Sequence, residues 1–97
     1  MKFRRSASWM IQLDDRILEH LAEVGWSSPE VMLSYPAFQR LDVTRGILLD
    51  RCRILAHAEL IEPFSDDYDE DMFELSVWGE LYLNGKIDAE LREPIPK

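Results

Sequence analysis

An α+β domain that is mainly helical is the fold class these 97 residues predict. Three observations predict it. Apolar residues recur at helical spacing in three successive segments, the period falls from 3.6 towards 2 after Leu60, and a short helical pattern closes the chain. The length suits one domain and is too short for two. The expected organisation is a basic arm over 1–8, a folded domain over 9–93 and a tail over 94–97.

Trp9 and Met10 lead into the first helix, where Leu13, Ile17, Leu21 and Val24 recur at helical spacing and the acidic residues are expected to face away. Asp14 and Asp15 fall in its first turn, where negative charge suits the helix dipole, and Gly25 stops it. Ser28-Pro29-Glu30 reads as an N-cap followed by proline at the first helical position. A short second helix through Val31, Met32 and Leu33 follows, and Pro36 is expected to end it. The third helix is the longest, from about Asp42 to His57, with Asp42 or Thr44 able to cap it. Leu48, Cys52 and Leu55 form its buried stripe, which makes Cys52 a core side chain. Projection at about 100° per residue puts Asp42, Gly46, Leu49, Asp50 and Arg53 on the opposite face, with Arg45 and Arg51 on the flanks. Gly46 costs stability inside a helix and suits a close approach to the backbone.

Beyond the third helix, Ile61–Phe64 and Met72–Ser76 read as two strands joined by the acidic loop Ser65–Asp71. Phe73 and Leu75 share one face of the second strand and Glu74 takes the other. A short helix from Trp78 to Asn84 ends at Gly85. A last amphipathic piece, Ile87 to Leu91, is halted by Pro94. Three helices followed by a hairpin is the order of a winged helix-turn-helix domain, whose third helix enters the major groove while the hairpin flanks it as a wing.

Charge is distributed unevenly. The net charge is −8, and the only lysines are Lys2, Lys86 and Lys97. Residues 1–13 carry +3, residues 14–30 carry −4, residues 31–60 carry +1 and residues 61–97 carry −8. Either the protein avoids polyanions, or it works in concentrated salt that screens an acidic surface. No apolar run is long enough to span a membrane. The basic start is not followed by the apolar stretch and cleavage site of a secretory signal, so a cytoplasmic location is expected. A single cysteine excludes an intrachain disulfide and a cysteine-rich zinc site. His20 and His57 lie on different helices with no serine or acid placed to complete a nucleophilic site, so no enzyme activity is expected. The acids from Asp66 to Asp71 lack the glycine and glutamate positions of a calcium loop. Neither a metal nor another cofactor is expected, and no small-molecule substrate is evident.

Four pieces in order are similar to winged helix-turn-helix DNA-binding proteins of haloarchaea, the phi-H phage repressor family. They are Trp9-Met10 before Asp14-Asp15-Arg16-Ile17-Leu18; Ser28-Pro29; Arg51-Cys52-Arg53 with Leu55 and Leu60-Ile61; and Gly79, Tyr82-Leu83, Gly85 and Asp88-Ala89. The resemblance spans roughly residues 9–91. It implies repressor-like transcription regulation and a salt-adapted archaeal host. Three positions depart from the family pattern. Glu59 stands where a glycine is usual, Ser76-Val77-Trp78 replaces a helix-opening threonine, and the hairpin loop is acidic where it should approach phosphates.

The expected partners are double-stranded DNA and a second copy of the chain. Candidate DNA contacts are Gln39, Arg40, Thr44, Arg45, Leu49 and Arg53 around the third helix, Lys2, Arg4 and Arg5 in the leading arm, and Tyr68 in the hairpin loop. Arginine can read guanine through paired hydrogen bonds or clamp a phosphate. The alternative is a winged-helix module for protein contact, a homodimer or a basic partner, motivated by an exposed Leu49, the acidic hairpin and the acidic C-terminal half.

Overall fold

Residues 4–64 and 71–92 are described by the computed structural model. Helix α1, Gln12–Val24, is opened by Asp14, whose Oδ2 accepts from the Ile11 amide at 2.9 Å, and is closed at Gly25 with φ 91°. The chain then makes the two-residue strand β1, Trp26–Ser27, which periodicity could not reveal in so short a piece. Ser28 caps α2, Pro29–Met32, by accepting from the Val31 amide at 3.3 Å.

Pro36 does more than follow α2. It opens a separate turn of helix, α3, Pro36–Gln39, where its fixed φ and missing amide proton suit the first helical position. The long helix α4 runs Arg45–His57, three residues shorter at its start than the spacing predicts. Asp42 lies in the left-handed region at φ 53° and cannot cap it. Thr44 does, its Oγ1 accepting from the Ile47 amide at 3.2 Å.

Strands β2, Ile61–Phe64, and β3, Met72–Leu75, pair antiparallel from Ile61 opposite Leu75 to Phe64 opposite Met72. β1 adds to the other edge of β3, with Trp26 opposite Glu74, so the sheet order is β1-β3-β2. Phe73 is buried, Leu75 partly so, and Glu74 between them is exposed, as the alternation predicts. The hairpin loop, with Asp66 to Glu70, lies outside the described residues.

Glu59, just after α4, has φ 65°, a backbone that favours glycine. That is the physical sense of the usual family glycine at this position. Helix α5, Val77–Leu83, is capped by Ser76, whose Oγ accepts from the Gly79 amide at 3.0 Å. The last amphipathic piece is a single 3-10 turn, Ala89–Arg92.

The core gathers Ile17, Leu18 and Leu21 of α1, Phe38 of α3, Leu48, Leu49, Cys52 and Leu55 of α4, and Tyr82 of α5. Cys52 is fully buried, and burial pushes its thiol up to about 12. Trp9 packs against this cluster, whereas Trp78 remains 41% exposed. Not every acid of α1 faces away. Asp14 is fully buried, and Arg51 of α4 reaches it with Nε at 2.8 Å and Nη2 at 2.6 Å.

The leading segment from residue 4 is docked on the domain. The Arg5 backbone forms a parallel β-bridge with that of Asp88, the Ala89 amide donates to the Arg5 carbonyl at 3.0 Å, and Ala7 is buried. Ser6 and Asp15 both bond the hydroxyl of Tyr82, at 2.9 and 2.7 Å, and burial pushes that phenol up to about 12.

Candidate nucleic-acid interface

α4 is packed by α1, α2 and β2, and its remaining face is open. Thr44, Arg45, Gly46, Ile47, Asp50, Arg53 and His57 are exposed along it. Arg45 and Arg53, two of the predicted contacts, are eight positions apart on one helix, a rise of about 12 Å. Thr44 stands at the N-terminal end, where unbonded amides favour anions. A Cβ added at Gly46 would meet only Thr44 Oγ1, at 3.9 Å, so the backbone there is approachable.

Leu49 does not belong to this face. It is only 9% exposed and sits in the core, while Ile47, 45% exposed, is the apolar residue that points outward. Projection placed Leu49 outside because it centred the buried stripe on Leu48, Cys52 and Leu55. Packing on three sides broadens the buried face to include both leucines. Its burial also removes an exposed Leu49 as a motive for a protein-contact surface.

The two arginines differ in state. Arg45 donates through Nε to Glu30 of α2, and its Nη2 lies 3.6 Å from Asp71 at the start of β3. The hydrogen bond to Glu30 raises the guanidinium further and lowers the Glu30 carboxyl. Arg53 instead lines a cleft of about 370 Å3 between α4 and the hairpin, with His57, Pro63, Asp71 and Phe73. Arg51 pairs with Asp14, and Arg45 with Glu30 and Asp71, acids that lie outside α4.

The remaining candidates scatter. Gln39 donates from Nε2 to the Leu33 carbonyl at 3.2 Å, and Arg40 is exposed at the end of α3. Arg4 is tied to α1, 2.9 Å from Glu19 and 3.7 Å from Asp15. Lys2 and Tyr68 lie outside the described residues. Sequence reasoning missed Ile47, His57 and the acids Glu30 and Asp71 that hold Arg45. Only His57 carried a local signal, falling on the same helical face as Arg53 at i, i+4.

Among the described residues, no group of three histidine, cysteine, aspartate or glutamate side chains could hold a metal ion. No described helix is long and apolar enough to cross a membrane.

A crystal structure of the PhiH1 repressor-like protein from Haloarcula marismortui matches this fold with a TM-score of 0.83 and 30% sequence identity, covering 98% of this chain and 100% of that one. The chain belongs to the PhiH1 repressor-like proteins. No protein-family model matches it, and no curated protein sequence does. The α+β, mainly helical architecture with a small antiparallel sheet is compatible with a PhiH1 repressor-like winged-helix fold.

Within this PhiH1 repressor-like frame, His20 is buried beneath Tyr35 and Phe38 and bonds Ser27 Oγ through Nε2 at 2.8 Å. Burial lowers its pKa from the ordinary 6.5, partly opposed by the charge of Glu23. A histidine lowered on folding contributes stability that is full above its unfolded value and is lost as pH falls through the folded value. Urea midpoints should therefore drop between about pH 7.5 and pH 5.5, above the carboxylate range, and His20→Gln should flatten that part of the profile. Equal profiles for the two proteins would exclude His20 as the group responsible.

Proposed function

We propose that this protein is a sequence-specific double-stranded DNA-binding transcription regulator of the repressor type, acting as a homodimer in the cytoplasm of a salt-adapted archaeon. α4 lies in the major groove and the β2–β3 hairpin flanks it as the wing. The observation that carries the reading is the open face of α4, with Thr44, Arg45, Gly46, Ile47 and Arg53 exposed, in a chain of the PhiH1 repressor-like group. Arg53 supplies the principal base or phosphate contact, Ile47 a methyl-sized apolar one, and Gly46 lets a strand come close. Gln39, Arg40 and Arg5 add flanking backbone contacts, together with Lys2 and Tyr68. Arg4 must first leave Glu19. The protein acts by binding and not by catalysis.

The acidic surface opposes binding in dilute buffer, and concentrated salt screens that repulsion while weakening counterion release. The halophilic source of the similar structure supports such a compromise. A dimer would present two copies of α4 to half-sites about 34 Å apart or a multiple of that spacing. Val77 and Trp78 at the start of α5, 69% and 41% exposed, are neighbouring apolar residues suited to its contact.

The test is fluorescence anisotropy with labelled duplex from upstream of the protein's own gene and from other genomic fragments, from dilute to molar KCl. Arg53→Ala should weaken binding about tenfold or more, within the 1–3 kcal/mol of a good arginine contact. Arg45→Ala should weaken it less, because Arg45 has to exchange carboxylates for DNA. Unchanged affinity for both, with melting temperatures intact, would remove α4 as the reading element.

A further inference from the structure

A cavity of about 430 Å3 opens between α1 and the α3 segment, within the size range of small-molecule sites. Its apolar wall is aromatic. The His20 ring meets Tyr35 and Phe38 edge-on, with centroids 4.6 and 5.4 Å away. His20 is 6% exposed, and its Nε2 is already committed to Ser27.

Opposite charges line the cavity from its two sides, Glu23 on α1 and Arg40 at the end of α3. Among the described residues neither side chain makes a hydrogen bond or an ion pair. The other two charges here are consumed: Arg16 bonds Glu19 at 3.1 Å, and Glu19 also bonds Arg4 at 2.9 Å. What remains is the Arg40 guanidinium, the Glu23 carboxylate, whose charge also acts on His20, and an apolar wall between the elements that carry them.

We propose that this cavity binds a free α-amino acid with an apolar side chain. Its carboxylate pairs with the Arg40 guanidinium, a planar fork suited to two parallel hydrogen bonds. Its ammonium pairs with Glu23, and its side chain lies against Tyr35 and Phe38. A simple anion would leave Glu23 repelling it, and a simple cation would leave Arg40 doing so. A zwitterion answers both charges. The ligand would tie α1 to the end of α3, from which the chain passes directly into α4, so occupancy can reach the candidate interface through that short connection.

The site goes beyond DNA binding and is tested without DNA. Calorimetric titration and thermal melting of the full chain would be run with L-phenylalanine and L-leucine at millimolar concentration. 3-Phenylpropionate, which lacks the amine, and phenethylamine, which lacks the carboxylate, serve as comparisons. Saturable binding of the amino acids is expected, with a melting temperature that rises with their concentration. Each single-charge analogue should bind at least about tenfold more weakly, a loss of about 1.4 kcal/mol or more. Arg40→Gln and Glu23→Gln, both surface changes, should fold normally and lose amino-acid binding. The proposal is overturned by the absence of saturable heat and melting shift with either amino acid, or by wild-type binding in both folded variants.

Discussion

Gly79→Ala should destabilise the protein by about 3 kcal/mol or more, at or beyond the upper end of ordinary overpacking. A Cβ at this position would lie 2.1 Å from the Leu60 carbonyl oxygen and 2.7 Å from Leu75 Cδ1. The leucine methyl can turn away, but the carbonyl cannot. Leu60 is fully buried at the entry to β2, and its oxygen accepts from the Ser76 amide at 3.2 Å. Moving either backbone breaks the junction between the hairpin and α5, including the Ser76 Oγ bond to the Glu59 carbonyl at 2.6 Å. For a domain of this size, each kcal/mol lowers the melting temperature by roughly 4–8 °C. Thermal unfolding followed by circular dichroism should therefore show a fall of more than about 12 °C. A change of under about 3 °C would mean that α5 can slide away from Leu60 at little cost.

Arg51→Ala should cost about 3–5 kcal/mol, because it strands a buried carboxylate. Asp14 is fully buried and accepts three hydrogen bonds, two from Arg51 and one from the Ile11 amide. Arg51 also donates to the Trp9 carbonyl at 3.2 Å, so one guanidinium joins the lead-in segment, α1 and α4. Removing the cation leaves Asp14 with a single donor in a site closed to water. Replacing both partners with apolar residues, Asp14→Leu with Arg51→Met, should cost far less than the sum of the single changes, since no charge is left unpaired. Urea unfolding of the four proteins in a double-mutant cycle measures this coupling. A loss below about 1 kcal/mol for Arg51→Ala would reduce the pair to the standing of a surface ion pair. The pair ties α4 to α1 while Arg53 faces outward, so under the proposed reading its loss should also weaken DNA binding.

Much of the fold was legible from local signals. Ser28 and Thr44 are caps whose side chains bond amides three residues on, and a bond that short in sequence can be read from residue type and position. Leu48, Cys52 and Leu55 repeat within one helix, so their burial followed from its period. The hairpin announced itself by alternation around Phe73, Glu74 and Leu75. The candidate site was legible only in part. Arg45, Thr44 and Arg53 share the open face, but the outward apolar residue is Ile47 where the period pointed to Leu49.

By itself, then, the sequence determined the order of the two long helices and the hairpin, the Ser28 cap and the centre of the α4 buried stripe, because each depends on residues within a turn or two of one another. Tertiary structure alone decided the rest. The pairing of β1 with β3, the burial of Asp14 against Arg51, 37 positions away, and the engagement of Arg45 by Glu30, 15 positions away, all join residues from different elements. No local period carries such a contact. It arises only when the packed elements exclude water from a charge or bring a free strand edge to its partner.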